Sequence, residues 1–327
     1  MHSNRIGLDL AKNVFQAVLV AKQSKVIWSR RWRRGQVLQE LAKLEPLLVV
    51  MEACGSAHYW AREILALGHT VWLLPPQYVR PYRQGQKNDH ADALAIVEAS
   101  YRANLRPVPV KSEVQQELQA TAQIRRRLMR SRTALVNQTR GILAEFGKVV
   151  PKGIAELRKA LPGLIEQLRP LLAELVSQQY EELCALDERI AVATRRLERM
   201  ARTIPACGQL MALRGIGPIT AVALVAHCCP QAYPSGRVYS AVLGLVPRHD
   251  GSGERIRLSR LTKAGQSELR TLLIHGGRSV VRTAHRHEDD LSRWARDIAA
   301  RRGKNKAAVA VANKLARYAW AELRRAA

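Results

Sequence analysis

The chain has 327 residues, enough for two or three domains with real cores. Its 53 Lys and Arg against 27 Asp and Glu give a formal charge of +26, which calls for a polyanionic partner, with nucleic acid ahead of a membrane surface. No apolar run reaches the roughly eighteen residues of a bilayer span, and Met1-His2-Ser3-Asn4-Arg5 opens without an apolar signal segment, so the expected place is the cytoplasm.

Residues 4–104 alternate between the two hydrophobic periods. Strands are expected at 5–10, 15–21, 26–31, 47–53 and 70–74, the first three close enough for an antiparallel meander. Helices are expected at 36–43, 57–67 and 89–102, Gly68 closing the second and Pro75-Pro76 stopping the fifth strand. This is a mixed α/β layer with helices over a sheet. The segment Trp28-Ser29-Arg30-Arg31-Trp32-Arg33-Arg34 fits two uses, phosphate contact with base stacking or an edge strand guarded by charge.

The Pro107 and Pro109 segment, 105–110, is an extended linker. Residues 113–146 and 164–203 follow a long helical period, with an interruption at 147–163 that holds Pro151 and Pro162. Patterns beyond about 25 residues favour a coiled coil, so 105–203 is expected to be an antiparallel arm. Residues 204–327 are expected to be mainly helical. Gly215-Ile216-Gly217-Pro218 there is a tight turn before a small-residue helix, similar to a helix-hairpin-helix turn whose N–H groups face a phosphate. The stretch 304–325 is an amphipathic basic helix, and His285-Arg286-His287-Glu288-Asp289-Asp290 is a charged loop. The five cysteines are odd in number and lack a CxxC pair, which argues against a disulfide scaffold or a zinc site.

Four acids stand out in so basic a chain. Asp9 interrupts Ile6-Gly7-Leu8-Asp9-Leu10, Glu52 ends the apolar run 47–51, and Asp89 and Asp92 share a helix face at i, i+3. Hard carboxylate oxygens are what Mg²⁺ requires, and paired Mg²⁺ ions clamp the attacking and leaving oxygens in phosphodiester chemistry. The plainer alternative is a set of strand-end and helix-cap residues.

With Ile6-Gly7-Leu8-Asp9-Leu10-Ala11-Lys12, Met51-Glu52-Ala53-Cys54-Gly55 and Asn88-Asp89-His90-Ala91-Asp92-Ala93, the chain resembles DEDD-type transposases of the insertion-sequence 110 family, bridge-RNA-guided recombinases. Gly215-Ile216-Gly217-Pro218, Gly244-Leu245-Val246-Pro247-Arg248, Ser252-Gly253 and Thr262-Lys263-Ala264-Gly265 extend the likeness over nearly the whole chain. The Gly217-Pro218 pair leans toward the family's eleven-eleven subgroup. The resemblance implies a RuvC-like, ribonuclease-H-like domain at 1–104, a coiled coil at 105–203 and a transposase domain at 204–327. It implies Mg²⁺ on Asp9, Glu52, Asp89 and Asp92 and a nucleophilic Ser252; the residues expected to contact nucleic acid are Gly215, Gly217, Arg248, Arg255, Arg257 and Lys263. Its implied partners are DNA at element ends and target, a structured non-coding guide RNA, and further copies of the chain as a dimer or tetramer. The implied setting is a bacterial or archaeal cell, at the nucleoid when active. Asn88 and Cys54 stand where the family often has Thr, next to ligands but not replacing them.

Ser252 between two glycines is open to a phosphate, with Arg248, Arg255 and Arg257 near in sequence to hold it. On its residues alone, Asp-Gly-Ser-Gly is ordinary hairpin chemistry. Two other functions share these features: a metal-dependent nuclease or Holliday-junction resolvase in which water attacks, and a non-catalytic nucleic-acid-binding protein.

Overall fold

A computed structural model of the chain describes residues 4–21, 25–83, 88–102, 105–250 and 257–326. It divides into two compact units, Met1–Glu113 and Val114–Ala327.

In the first unit β1 (Arg5–Asp9), β2 (Val14–Val20), β3 (Val26–Arg33), α1 (Val37–Ala42), β4 (Leu48–Glu52), α2 (Ala57–Ala66), β5 (Thr70–Leu74), α3 (Pro76–Val79) and α4 (Asp89–Ser100) follow in order. The sheet order is β3-β2-β1-β4-β5. The meander β1-β2-β3 is antiparallel, while β4 and β5 run parallel to β1. Period-two alternation sends Ile6, Leu8, Phe15, Val49, Met51 and Leu73 to one face, where Trp60 and Ile64 of α2 and Val37 and Leu41 of α1 complete a dry core. The opposite face is covered by α4, through Ala93 and Val97 against Val18 and Val20 and through Ile96 against Val50 and Leu74. A mixed sheet with a helical layer on each face fits a ribonuclease-H-like transposase domain.

Trp32 points into the core and is only 5% exposed, with Trp28 beside it at a ring distance of 5.6 Å. Base stacking on Trp32 is thereby excluded. β3 is a sheet edge whose exposed residues include Arg30, Arg31 and Arg33, so the charges fit the guarded-edge alternative.

One glycine sets the distance between sheet and helix. A Cβ at Gly7 would lie 2.2 Å from the Ala93 carbonyl oxygen and 2.6 Å from Val97 Cγ2. Gly7→Ala is expected to push α4 outward and to cost about 1–3 kcal/mol as an overpacked contact. Urea unfolding measures the loss, and an unchanged midpoint would refute the close approach.

The second unit begins with α5 (Glu113–Glu145), α6 (Ile154–Ile165) and α7 (Pro170–Thr203). Arg125 Nε donates to Thr194 Oγ1 at 2.7 Å and Arg132 Nη1 to Asp187 Oδ1 at 2.8 Å. Rising numbers on α5 meet falling numbers on α7, so the two long helices run antiparallel. The expected interruption at 147–163 instead contains α6, and α7 starts at Pro170 rather than at 164. Leu157 and Leu161, one turn apart, bury against Leu135, Leu143 and Leu183. That packing holds α6 together although Pro162 removes one helical donor. Gly147 and Gly153, with φ of +70° and +125°, take the chain around the corner before it.

At their other ends the long helices enter a second core, where Leu118, Leu197 and Ala201 join the residues of the C-terminal helices. These are α8 (Pro205–Met211), α9 (Pro218–His227), α10 (Gly236–Val242), α11 (Ser267–Thr283), α12 (Asp290–Arg302) and α13 (Lys304–Arg325), with a hairpin of β6 (Pro247–Asp250) and β7 (Arg257–Leu261) between α10 and α11. The expected charged loop at 285–290 is a short 3-10 turn, after which Asp289 caps α12 through Ser292 and pairs with Arg214.

Candidate active site

Asp9 and Glu52 end neighbouring parallel strands. Leu8 is paired with Met51, so the two acids leave the sheet side by side at its carboxyl edge. Asp9 follows Gly7 by two residues and Glu52 follows Val50 by two, which places both on the face covered by α4.

On that face α4 starts with its first turn toward the same strand ends. Asn88, not Asp89, is the cap: its side-chain oxygen accepts from Ala91 N at 2.7 Å. The cap reading of Asp89 is therefore closed, and its carboxylate is exposed at the first helical position. Asp92, one turn further, is buried. Both acids also complement the positive end of the helix.

The electrostatics show that the four acids share one neighbourhood. Asp9 is pushed up to about 6, first by burial and then by the negative charges of Asp92, Asp89 and Glu52, with Arg83 pulling the other way. Arg83 stands among them. Its Nε lies 2.8 Å from Asp92 Oδ1 and its Nη2 3.5 Å from Glu52 Oε2. Nothing in the order of the sequence marked Arg83, because its role comes from the fold alone.

Among the described residues no three His, Cys, Asp or Glu side chains are drawn closely enough together to hold an ion as they stand. The donor set nevertheless suits a hard divalent cation. Every acid offers oxygen, and Asp92 Oδ1 is buried with no hydrogen bond, its contact with Arg83 being close but poorly aligned. Asp9, Glu52, Asp89 and Asp92 would be the holders, with Arg83 the cation that neutralises them otherwise.

Arg83→Gln is expected to lower the stability of the metal-free protein by on the order of 1 kcal/mol, since the half-exposed pair is partly screened. It should also make the melting temperature rise more steeply with added Mn²⁺ than in the wild type. Equal Mn²⁺ responses in the two proteins would show that Arg83 does not compete for the site.

A polar contact links this turn to the sheet edge. His90 Nδ1 lies 2.9 Å from Ser29 Oγ, which accepts from Gln16 Nε2 at 2.8 Å. Gln16 pairs with Asp9 across the strands. His90, ambiguous in sequence, thus ties α4 to β3.

In the second unit the remaining candidates are spread out. Ser252 and Arg255, and the side chain of Arg257, lie outside the described residues. Arg248 is exposed on β6, and exposed Lys263 has a φ of +54° in the turn after β7. Gly217 caps α9 and is exposed, with open space where a Cβ would stand. Gly215 has a different reason to be glycine: its φ is +99°, and a Cβ there would meet Val280 Cγ2 at 2.8 Å. The turn is packed against α11 on that side.

Two family models match the chain. Residues 6–147 match the DEDD transposase family of IS110, and residues 207–292 match the transposase domain described as IS116/IS110/IS902 family. The chain is 45% identical to a protein of Pseudomonas aeruginosa described as a probable family 20 transposase, over 99% of the chain and 98% of that relative. The chain belongs to the IS110 family of transposases.

Two further relatives of this IS110-family chain are described as transposases for insertion sequence elements. It is 39% identical to the transposase for insertion sequence element IS1111A of Coxiella burnetii, over 98% of the chain and 89% of that protein. It is 36% identical to the transposase for IS1328 of Yersinia enterocolitica, over 96% and 95% respectively. Membership in the IS110 transposases gives the basic chain its partner, DNA, and gives the acidic cluster a general expectation of a divalent metal. No helix among the described residues is long and apolar enough to cross a membrane.

Proposed function

We propose that this transposase is a site-specific recombinase of its own insertion sequence, which cuts and rejoins DNA through a covalent link to Ser252 with Mg²⁺ at Asp9, Glu52, Asp89 and Asp92. The observation that carries the reading is the meeting of Asp9 and Glu52, from adjacent strand ends, with the first turn of α4 on one sheet face. When bound there, Mg²⁺ would offset the charge that grows on a phosphate in transfer.

The protein's own part follows from its groups. The Ser252 oxygen forms a bond to phosphorus while a phosphorus–oxygen bond in the DNA strand breaks. The serine proton ends on the departing oxygen, and a strand-end hydroxyl is left. The reverse attack by another strand end restores the serine and conserves the bond. Arg248, Arg255, Arg257 and Lys263 would hold phosphate oxygens, and Gly215 and Gly217 would belong to a helix-hairpin-helix turn on the backbone of the duplex. The acids and Ser252 belong to a RuvC-like domain at 1–104 and a transposase domain at 204–327. A site shared by copies of the chain, joined as a dimer or tetramer through a coiled coil at 105–203, accounts for that separation. A structured guide RNA is the partner that the family resemblance adds.

The test is recombination in purified components: the protein, DNA carrying the element ends, a target duplex, and RNA transcribed from the non-coding segment beside the reading frame. Joined product that needs both the RNA and Mg²⁺ supports the proposal. Product formed without RNA removes the guide, and free cut ends with no joined product indicate a nuclease.

A further inference from the structure

A groove of about 1110 Å³ lies entirely within the second unit, between the base of the β6–β7 hairpin and the α12–α13 corner. It contributes none of the acids and none of the residues proposed above for catalysis or for holding phosphate. Its walls include Leu245, Leu261, Val309 and the half-buried Trp294, so the floor is largely apolar. Arg260, Arg302, Lys306, Lys314 and Arg317 also line it, and no Asp or Glu among the described residues does.

Those cations differ from their neighbours. On α12, Arg293 pairs with Asp290 and Arg296 with Glu288. Among the described residues none of the five groove cations forms an ion pair with a carboxylate. Lys314 Nζ instead sits 4.3 Å from the Trp294 ring centre. Lys306, Arg302 and Arg317 are exposed. Five cations with no carboxylate partner among the described residues share one concave surface, where they repel one another and raise a positive potential that an anionic occupant relieves.

The spacing favours a chain of phosphates over a single one. Lys306, Lys314 and Arg317 lie on one side of α13, and the first and last are about 16 Å apart along the axis at 1.5 Å per residue. That length covers roughly five phosphates at the 3.4 Å axial spacing of one B-form strand. A duplex presents only phosphate and groove edges to such a surface. A single strand can also turn its bases onto an apolar floor and an indole.

We propose that this groove binds a single strand of DNA, with its phosphates along Lys306, Lys314 and Arg317 and its bases over the floor that includes Trp294. The inference rests on the proposed strand transfer only in choosing DNA over RNA, since strand exchange exposes unpaired DNA. Lys314, now over the indole, would move to a phosphate as a base takes its place.

The test uses the full-length protein and a fluorescein-labelled 20-base DNA of mixed sequence, followed by anisotropy over a range of salt. Lys306→Gln/Arg317→Gln removes two exposed cations and should leave the fold unchanged by circular dichroism. The slope of log K against log salt should become shallower by about 1.4, which is roughly a 25-fold loss of affinity at 0.1 M salt. Trp294→Phe should keep most of the single-strand affinity and Trp294→Leu should lose it, with both binding duplex DNA as the wild type does. Unchanged slope and affinity in the double variant overturns the proposal, as does an effect confined to duplex DNA or to an RNA of the same sequence. Trapping of protein–DNA adducts separates this from the strand-transfer reading. Unchanged binding with a normal Ser252 adduct sinks the groove alone. Weakened binding in the double variant with no adduct in wild type keeps the groove and sinks the serine.

Discussion

Ser252→Ala is expected to abolish strand exchange, with product below about one part in a thousand of wild type, while the protein still folds and binds DNA. A serine nucleophile becomes part of the reaction path, so its removal takes away the covalent route rather than a fraction of the rate. The substitution deletes one oxygen between two glycines. The decisive measurement is a trap. Wild-type protein is incubated with nicked target DNA and Mg²⁺, denatured and digested, and the peptides are weighed. A nucleotide remnant on Ser252 supports serine chemistry. Full cleavage by Ser252→Ala, with no adduct in wild type, assigns the attack to water and makes the protein a metal-dependent nuclease or resolvase.

Asp9→Asn should cost about as much activity as the serine change, but by a different route. Asp9 is the centre of the acidic neighbourhood, half-buried, beside Glu52 and facing Asp89 and Asp92. Asparagine keeps the shape and one oxygen but removes the charge that a divalent ion needs. Strand cleavage is expected to fall by a factor of about 10³ or more, by analogy with the loss of a charge-stabilising group at a phosphoryl centre. DNA affinity should be unchanged or slightly raised, because one negative charge has gone from a protein that binds a polyanion. Metal-free stability should also rise, since burial and three like-charged neighbours already disfavour the Asp9 carboxylate. Calorimetric titration with Mn²⁺ checks the cause: weakened metal binding together with raised metal-free stability is the expected pair. Full cleavage by Asp9→Asn would remove the four-acid reading.

The elements of the first unit were legible because each carries a strong local signal. Alternation in 5–10, 15–21 and 26–31 fixes strands, and the short gaps between them force a meander. The apolar run before Glu52 fixes a strand buried on both faces. The two long helices were legible for the same reason, as their apolar positions repeat over 33 residues in α5 and 34 in α7. Helix α6 was missed because Pro151, Pro162 and the glycines at 147, 153 and 163 look like breakers. Only burial of Leu157 and Leu161 against the long helices outweighs them.

The sequence by itself determined the strands, the long helices, the surplus of positive charge and, through motif order, the family. These depend on residues close together along the chain. Tertiary structure alone decided what those residues do to one another. Strand register set Asp9 beside Glu52, and Gly7 let α4 approach near enough to bring Asp89 and Asp92 to them. It placed Arg83 among the acids and turned Trp32 inward, although both sit in basic-aromatic stretches that sequence cannot tell apart. It also gathered five cations from β7, α12 and α13 into one groove. Electrostatic interaction falls with distance through space, and the chain's numbering does not record that distance.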